Sequence, residues 1–126
     1  MPRRPRTIVL IGAGLMALGL WVASGRVRAA GRAPKVVEVS AERFRFTPSE
    51  IRVKAGSPLE LRLTSDDTDH GFHIVNTDID VRIPKRGRGA TTIVFDPPGP
   101  GRYTFACSHV CGAGHSFMRG TIVVTE

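Results

Sequence analysis

Acid is missing from the first 32 residues of this 126-residue chain, which instead carry six Arg. From residue 33 onward twelve Lys and Arg face eleven Asp and Glu, a balance of about +1. The overall charge of +7 therefore belongs to the N-terminus and not to a binding face, which excludes nucleic acid as a partner. Tryptophan occurs once, as Trp21, so residues 33–126 have none. Sustained helical periodicity is absent after residue 35, and so are internal repeats. The length leaves no room for a two-domain enzyme, a doubly wound nucleotide fold or a barrel. No grouping of side chains suggests an acid, a base or a nucleophile working together, so no catalytic site is expected in this chain alone.

What is present begins with Arg3, Arg4 and Arg6, followed by an apolar run from Thr7 to Ser24 that is broken only by Gly. Its eighteen residues are at the short end for crossing a hydrocarbon core of about 30 Å. A basic start, an apolar stretch and small residues afterwards also describe a secretory signal, with Val27-Arg28-Ala29 as a cleavage site. Residues 1–25 are thus expected to form a membrane anchor or signal peptide, one hydrophobic helix, with 26–35 as a linker. The favoured reading is an uncleaved anchor that meets the membrane through residues 7–24 and holds the C-terminal domain on the periplasmic, extracytoplasmic side. Cleavage would instead release a secreted or periplasmic domain; both routes export it.

After the linker come short runs of strand-forming residues: 36–40 continuing towards Phe46, 50–54, 59–65, 71–76, 80–83, 91–95, 102–107 and 120–125. Turn chemistry separates them at Thr47-Pro48, Ala55-Gly56, Asp66–Asp69, Pro84–Gly89 and Pro97–Gly101. Leu59, Leu61 and Leu63 alternate with Glu60 and Arg62, as a half-buried strand requires. The expected fold class is all-β, a two-sheet Greek-key sandwich over residues 36–126. Phe44, Phe46, Phe72, Phe95, Tyr103 and Phe105 are expected in its core, and the Lys85–Arg88 run reads as a solvated turn.

Soft and nitrogenous side chains crowd the last part of the chain. His70, His73, Cys107, His109, Cys111, His115 and Met118 all fall within 49 residues, and the tight part reads C-x3-C-x3-H-x2-M. Thiolate and thioether ligands select copper or zinc, and imidazole suits both. A copper electron-transfer site joins two His, a Cys thiolate and a weak axial Met. Cys111, His115 and Met118 supply three of these from one loop, and His70 or His73 can supply the fourth from a distant strand. A second thiolate, Cys107, lets the pair bridge two ions, each keeping one His and one weak donor. Such a dinuclear copper centre spreads one electron over two metals and lessens the geometry change on each.

Two plainer readings compete. A disulfide between Cys107 and Cys111 suits an exported protein but closes little chain and leaves His115 and Met118 without a role. A structural zinc held by His70, Cys107, Cys111 and His115 leaves Met118 unused. His73 stands three residues from His70, so on a regular strand it points to the opposite face.

The loop closely resembles the CuA loop of cytochrome c oxidase subunit II, and residues 66–76 (DDTDHGFHIVN) resemble the strand that brings that family's first histidine. The resemblance covers about residues 36–126 and is closest to the short, single-anchor type. It implies a cupredoxin-like CuA domain with two Cu ions as cofactor. Cys107 and Cys111 would bridge the ions, and His70 and His115 would bind one each. Met118 would be one weak axial ligand and the backbone carbonyl of His109 the other. The implied function is electron entry into a haem-copper oxidase: the chain takes electrons from cytochrome c or another small redox carrier and passes them to the haem-bearing catalytic subunit. The chain departs from the family pattern in three ways. His109 replaces a customary acidic or amide residue, there is one anchor at most, and the soluble part lacks an exposed Trp and an acidic face. The alternative is a stand-alone exported cupredoxin carrying electrons or copper. Nitrous oxide reductase shares such a centre but needs a large second domain that this chain lacks.

Overall fold

A computed structural model describes residues 32–126. The expected N-terminal helix, its cleavage site and all but the end of the linker lie outside the described residues. Among the described residues no helix is long and apolar enough to cross a membrane.

Nine strands follow one another: β1 (Lys35–Glu42), β2 (Arg45–Thr47), β3 (Glu50–Lys54), β4 (Leu59–Ser65), β5 (His70–Ile74), β6 (Asp80–Ile83), β7 (Thr91–Phe95), β8 (Gly101–Ala106) and β9 (Arg119–Thr125). A 3-10 turn, His115–Phe117, interrupts the loop between β8 and β9. One sheet has the order β2-β1-β4-β7 and the other β3-β9-β8-β5-β6. The pairs β1–β4 and β3–β9 are parallel and the rest antiparallel. The expected all-β sandwich is the observed architecture.

Alternation decides which residues face inward. Leu59, Leu61 and Leu63 are fully buried, while Arg62 and Thr64 between and beyond them are exposed. From the opposite sheet Phe72 and Phe105 stack at 4.9 Å between ring centroids, and Phe46 meets both edge-on at 5.6 and 5.3 Å. This aromatic knot shares one buried core with Ile74, Ile83 and Ile122.

The runs expected at 102–107 and 120–125 begin one residue earlier, as β8 and β9, and Cys107 falls just past its strand; two other limits differ more. The first run splits into β1 and β2, because the chain turns at Arg43-Phe44 and pairs back on itself, Ala41 opposite Phe46. The strand expected at 71–76 runs instead from His70 to Ile74. Its end is set by Asn76, held at φ 62°, and by the Thr77 hydroxyl, which donates to the Ile74 carbonyl at 2.7 Å. Phe44 is also not a core residue. It is exposed on the β1–β2 turn and packs on the β8–β9 loop, where a Cβ on Gly112 would lie 3.0 Å from its ring.

Candidate metal centre

The end of β8 and the start of β5 meet where the two sheets open. Cys107 follows β8, and its Sγ accepts the N–H of Gly71, the second residue of β5, at 3.5 Å. Gly71 is needed there: a Cβ on it would lie 2.6 Å from the amide nitrogen of His109. The Cys107 amide donates to the Met118 carbonyl at 2.9 Å, which closes the loop at its neck before β9 begins. The short 3-10 turn then swings His115 inward and aims Met118 into the core, where it is fully buried.

The six residues that the resemblance implies as ligands, His70, Cys107, His109, Cys111, His115 and Met118, come together here. The ligand atoms of His70, Cys107 and Cys111 lie within 4.8 Å of one another, and all three residues are buried. The two Sγ atoms stand 3.8 Å apart. Around Cys107 are His70 Nδ1 at 3.9 Å and the His109 carbonyl oxygen at 3.1 Å. Around Cys111 are His115 Nδ1 and Met118 Sδ, both at 3.9 Å. Each sulfur is thus flanked by one imidazole nitrogen and one weaker donor. His109 reaches the cluster by its backbone, and its residue is exposed. His73 is not part of the cluster. It is half-buried on the other face of β5, and its Nδ1–H donates to the Ile79 carbonyl at 3.1 Å.

The disulfide reading fails on distance. Both cysteines are free, and 3.8 Å is far beyond the roughly 2.05 Å of a sulfur–sulfur bond. It is also less than twice a metal–thiolate bond of about 2.3 Å, so an ion can touch both sulfurs. Burial, with Cys107 beside it, pushes the Cys111 thiol up to about 11, so an incoming metal must displace its proton. A zinc site has no use for the buried thioether that Met118 directs at Cys111. Two thiols, two imidazoles, a thioether and a carbonyl suit copper better.

One residue that the sequence reading passed over is Asp67. Its Oδ1 accepts from His70 Nε2 at 2.7 Å and from the Thr68 amide at 2.7 Å, and its Oδ2 accepts the Arg43 amide at 2.9 Å. Burial opposes its ionisation. The hydrogen bonds from His70, Arg43 and Thr68 outweigh that and hold the carboxyl at about 2. An ionised carboxylate only accepts, so His70 carries its proton on Nε2 and leaves the Nδ1 lone pair facing Cys107. A metal-bound histidine ordinarily has such a partner, and a carboxylate three residues before His70 was the signal available.

The rim of the site is apolar and open. Val110 is 76% exposed and Phe117 is 81% exposed, both on the loop that carries the cysteines. A cavity of about 460 Å³ lies at the other end of the sandwich beside Lys35, Lys54 and Thr125, away from this chemistry.

Comparison with known proteins agrees with this geometry. Residues 14–124 match the family model of the cupredoxin-like domain. Cytochrome c oxidase subunit 2 of Thermus thermophilus is 38% identical over 90 residues, 71% of this chain. The chain spans 65% and 52% of the two Thermus relatives of that name. A chain of a heme-copper terminal oxidase dimer superposes with a TM-score of 0.60 at 30% identity, covering 79% of this chain and 68% of that one. The periplasmic domain of cytochrome oxidase subunit II from Bradyrhizobium japonicum shares the fold, with a TM-score of 0.67 at 18% identity over 75% of this chain and 86% of that one. His70, Cys107 and Cys111 lie together as a CuA-type site requires, and the chain belongs to the cupredoxin-like domain family as a homologue of cytochrome c oxidase subunit 2.

Proposed function

We propose that the domain holds a dinuclear copper centre and serves as the electron-entry subunit of a haem-copper oxidase, facing the extracytoplasmic side. The observation that carries this reading is the doubled donor set. Two buried thiols 3.8 Å apart each have an imidazole and a weaker donor beside them. A mononuclear site would leave one thiol and one imidazole without work. Two copper ions bound there supply one-electron storage shared between them.

The chain's own residues do the rest. Cys107, Cys111, His70 and His115 would hold the copper ions, with Met118 and the His109 carbonyl as the weaker donors. Asp67 fixes the His70 tautomer, so that Nδ1 is free to bind without a proton shift. The Phe46–Phe72–Phe105 knot and the β8–β9 neck resist movement of the donors, which keeps the geometric cost of each transfer low. His70 and Met118 are sealed from water, whereas Val110 and Phe117 offer apolar contact close to Cys111 for a redox partner.

The partners in this reading are a small carrier such as cytochrome c and the catalytic subunit bearing the haem. The membrane is reached through residues 7–24, which anchor the domain. Purifying the chain from its native membrane tests the assembly. Co-purification with a haem-bearing subunit that becomes reduced through this chain supports it, and a chain that runs alone and fails to reduce any haem partner contradicts it.

A further inference from the structure

The β1–β2 turn touches both halves of the metal centre through a single residue. The Arg43 amide donates to Asp67 Oδ2 at 2.9 Å, on the carboxylate that orients His70. The Arg43 Nε donates to the Cys111 carbonyl at 2.7 Å, across 68 residues of sequence. Phe44, the next residue, lies under Gly112 and Gly114, so close that a Cβ on either glycine would meet its ring. The His70 segment and the cysteine loop are therefore pinned to each other by Arg43. Its guanidinium has no carboxylate partner among the described residues, and residues 1–31 contain no acid to provide one.

We infer that Arg43 is a positioning residue of the copper centre, which holds the Cys111 backbone in place and raises the reduction potential through its positive charge. This rests on the dinuclear reading above. Taking up one electron lowers the charge of the centre by one, with no bond made or broken. A fixed cation nearby favours the reduced form, and removing it lowers the potential. The Nε–H contact also holds the Cys111 backbone, so its loss changes the angle at which that sulfur meets the metal.

The test uses the full chain, loaded with copper. Wild type is measured first for copper per chain and for the electron spin resonance pattern. Arg43→Gln and Arg43→Lys are then compared with it in the same two measurements, in reduction potential and in the unfolding midpoint of the metal-free form. The expected result is an unchanged copper count, a lowered potential with a shifted spectrum in Arg43→Gln, and recovery of much of the potential in Arg43→Lys. Added salt should narrow the gap between Arg43→Gln and wild type. A potential in Arg43→Gln equal to that of wild type overturns the inference. So does loss of folding and copper in both variants, which would mark Arg43 as structural only. Failure of the dinuclear reading is distinguishable, because it would show in wild type before any substitution.

Discussion

Replacing Asp67 probes the link between fold and metal most sharply. In Asp67→Asn the Oδ1 acceptor survives for His70 and Thr68, but an amide NH2 replaces Oδ2 and faces the Arg43 N–H, donor against donor. A hydrogen bond to a charged group is worth about 1.5–3 kcal/mol, and a neutral one about 0.5–1.5. One lost bond and two weakened ones, on a side chain that is 30% exposed and partly rescued by water, give a loss of about 2 kcal/mol. Asp67→Ala should cost about 3 kcal/mol, because the fully buried His70 ring then has no acceptor for its Nε2–H. Copper affinity should fall roughly 10–100-fold in both, as for other partners of metal-bound histidines. Acid provides an internal control. The folded carboxyl sits at about 2, below its usual 3.8, so its ionisation stabilises the fold fully above that usual value. The contribution is lost as pH falls through about 2. After discounting for solvent screening it amounts to about 1 kcal/mol. Urea unfolding of the metal-free chain, at neutral pH and down into acid, reads the stability. Competition for copper against a chelator reads the affinity. An Asn variant as stable as wild type, with undiminished copper affinity, would refute the reasoning.

Other expectations separate ligands from neighbours. His70→Ala should abolish the mixed-valence signal of the copper-loaded chain, while His73→Ala leaves it largely intact; the reverse outcome would overturn the assignment on β5. Among the loop residues, Cys111→Ser should be most damaging, leaving at best a single copper by metal counting. Met118→Leu should keep both coppers but shift potential and spectrum, and His109→Gln should change the potential only modestly. A His109→Gln variant as damaged as Cys111→Ser would mean that the imidazole, and not the carbonyl, binds. Gly71→Ala should destabilise the chain by about 1–3 kcal/mol in urea unfolding, since the new methyl meets the His109 backbone. Wild-type stability in that variant would show that the loop is looser than its contacts imply.

Much of this architecture is legible in the sequence because its causes are local. Leu59, Leu61 and Leu63 announce a strand by alternation, and Pro97–Gly101 announces a turn by its residue types. The cysteine loop is legible because four donors of matching softness sit within twelve residues, Cys107 to Met118. Strand parity puts His70 and His73 on opposite faces and the family resemblance selects His70; the structure places His70 in the cluster and His73 outside it. What could not be read has non-local causes. Arg43 reaches Cys111 across most of the domain, and nothing in its neighbours signals that contact. Phe44 looks like a core residue by type, but the turn between β1 and β2 carries it onto Gly112 and Gly114. The end of β5 is the exception: its cause is local, the backbone of Asn76, which composition does not specify.

Counting copper in the purified chain and recording electron spin resonance on the same sample addresses the central claim directly. The expected result is two coppers per chain and the hyperfine pattern of one unpaired electron shared equally by two nuclei. One copper per chain, or an electron confined to a single nucleus, would contradict it.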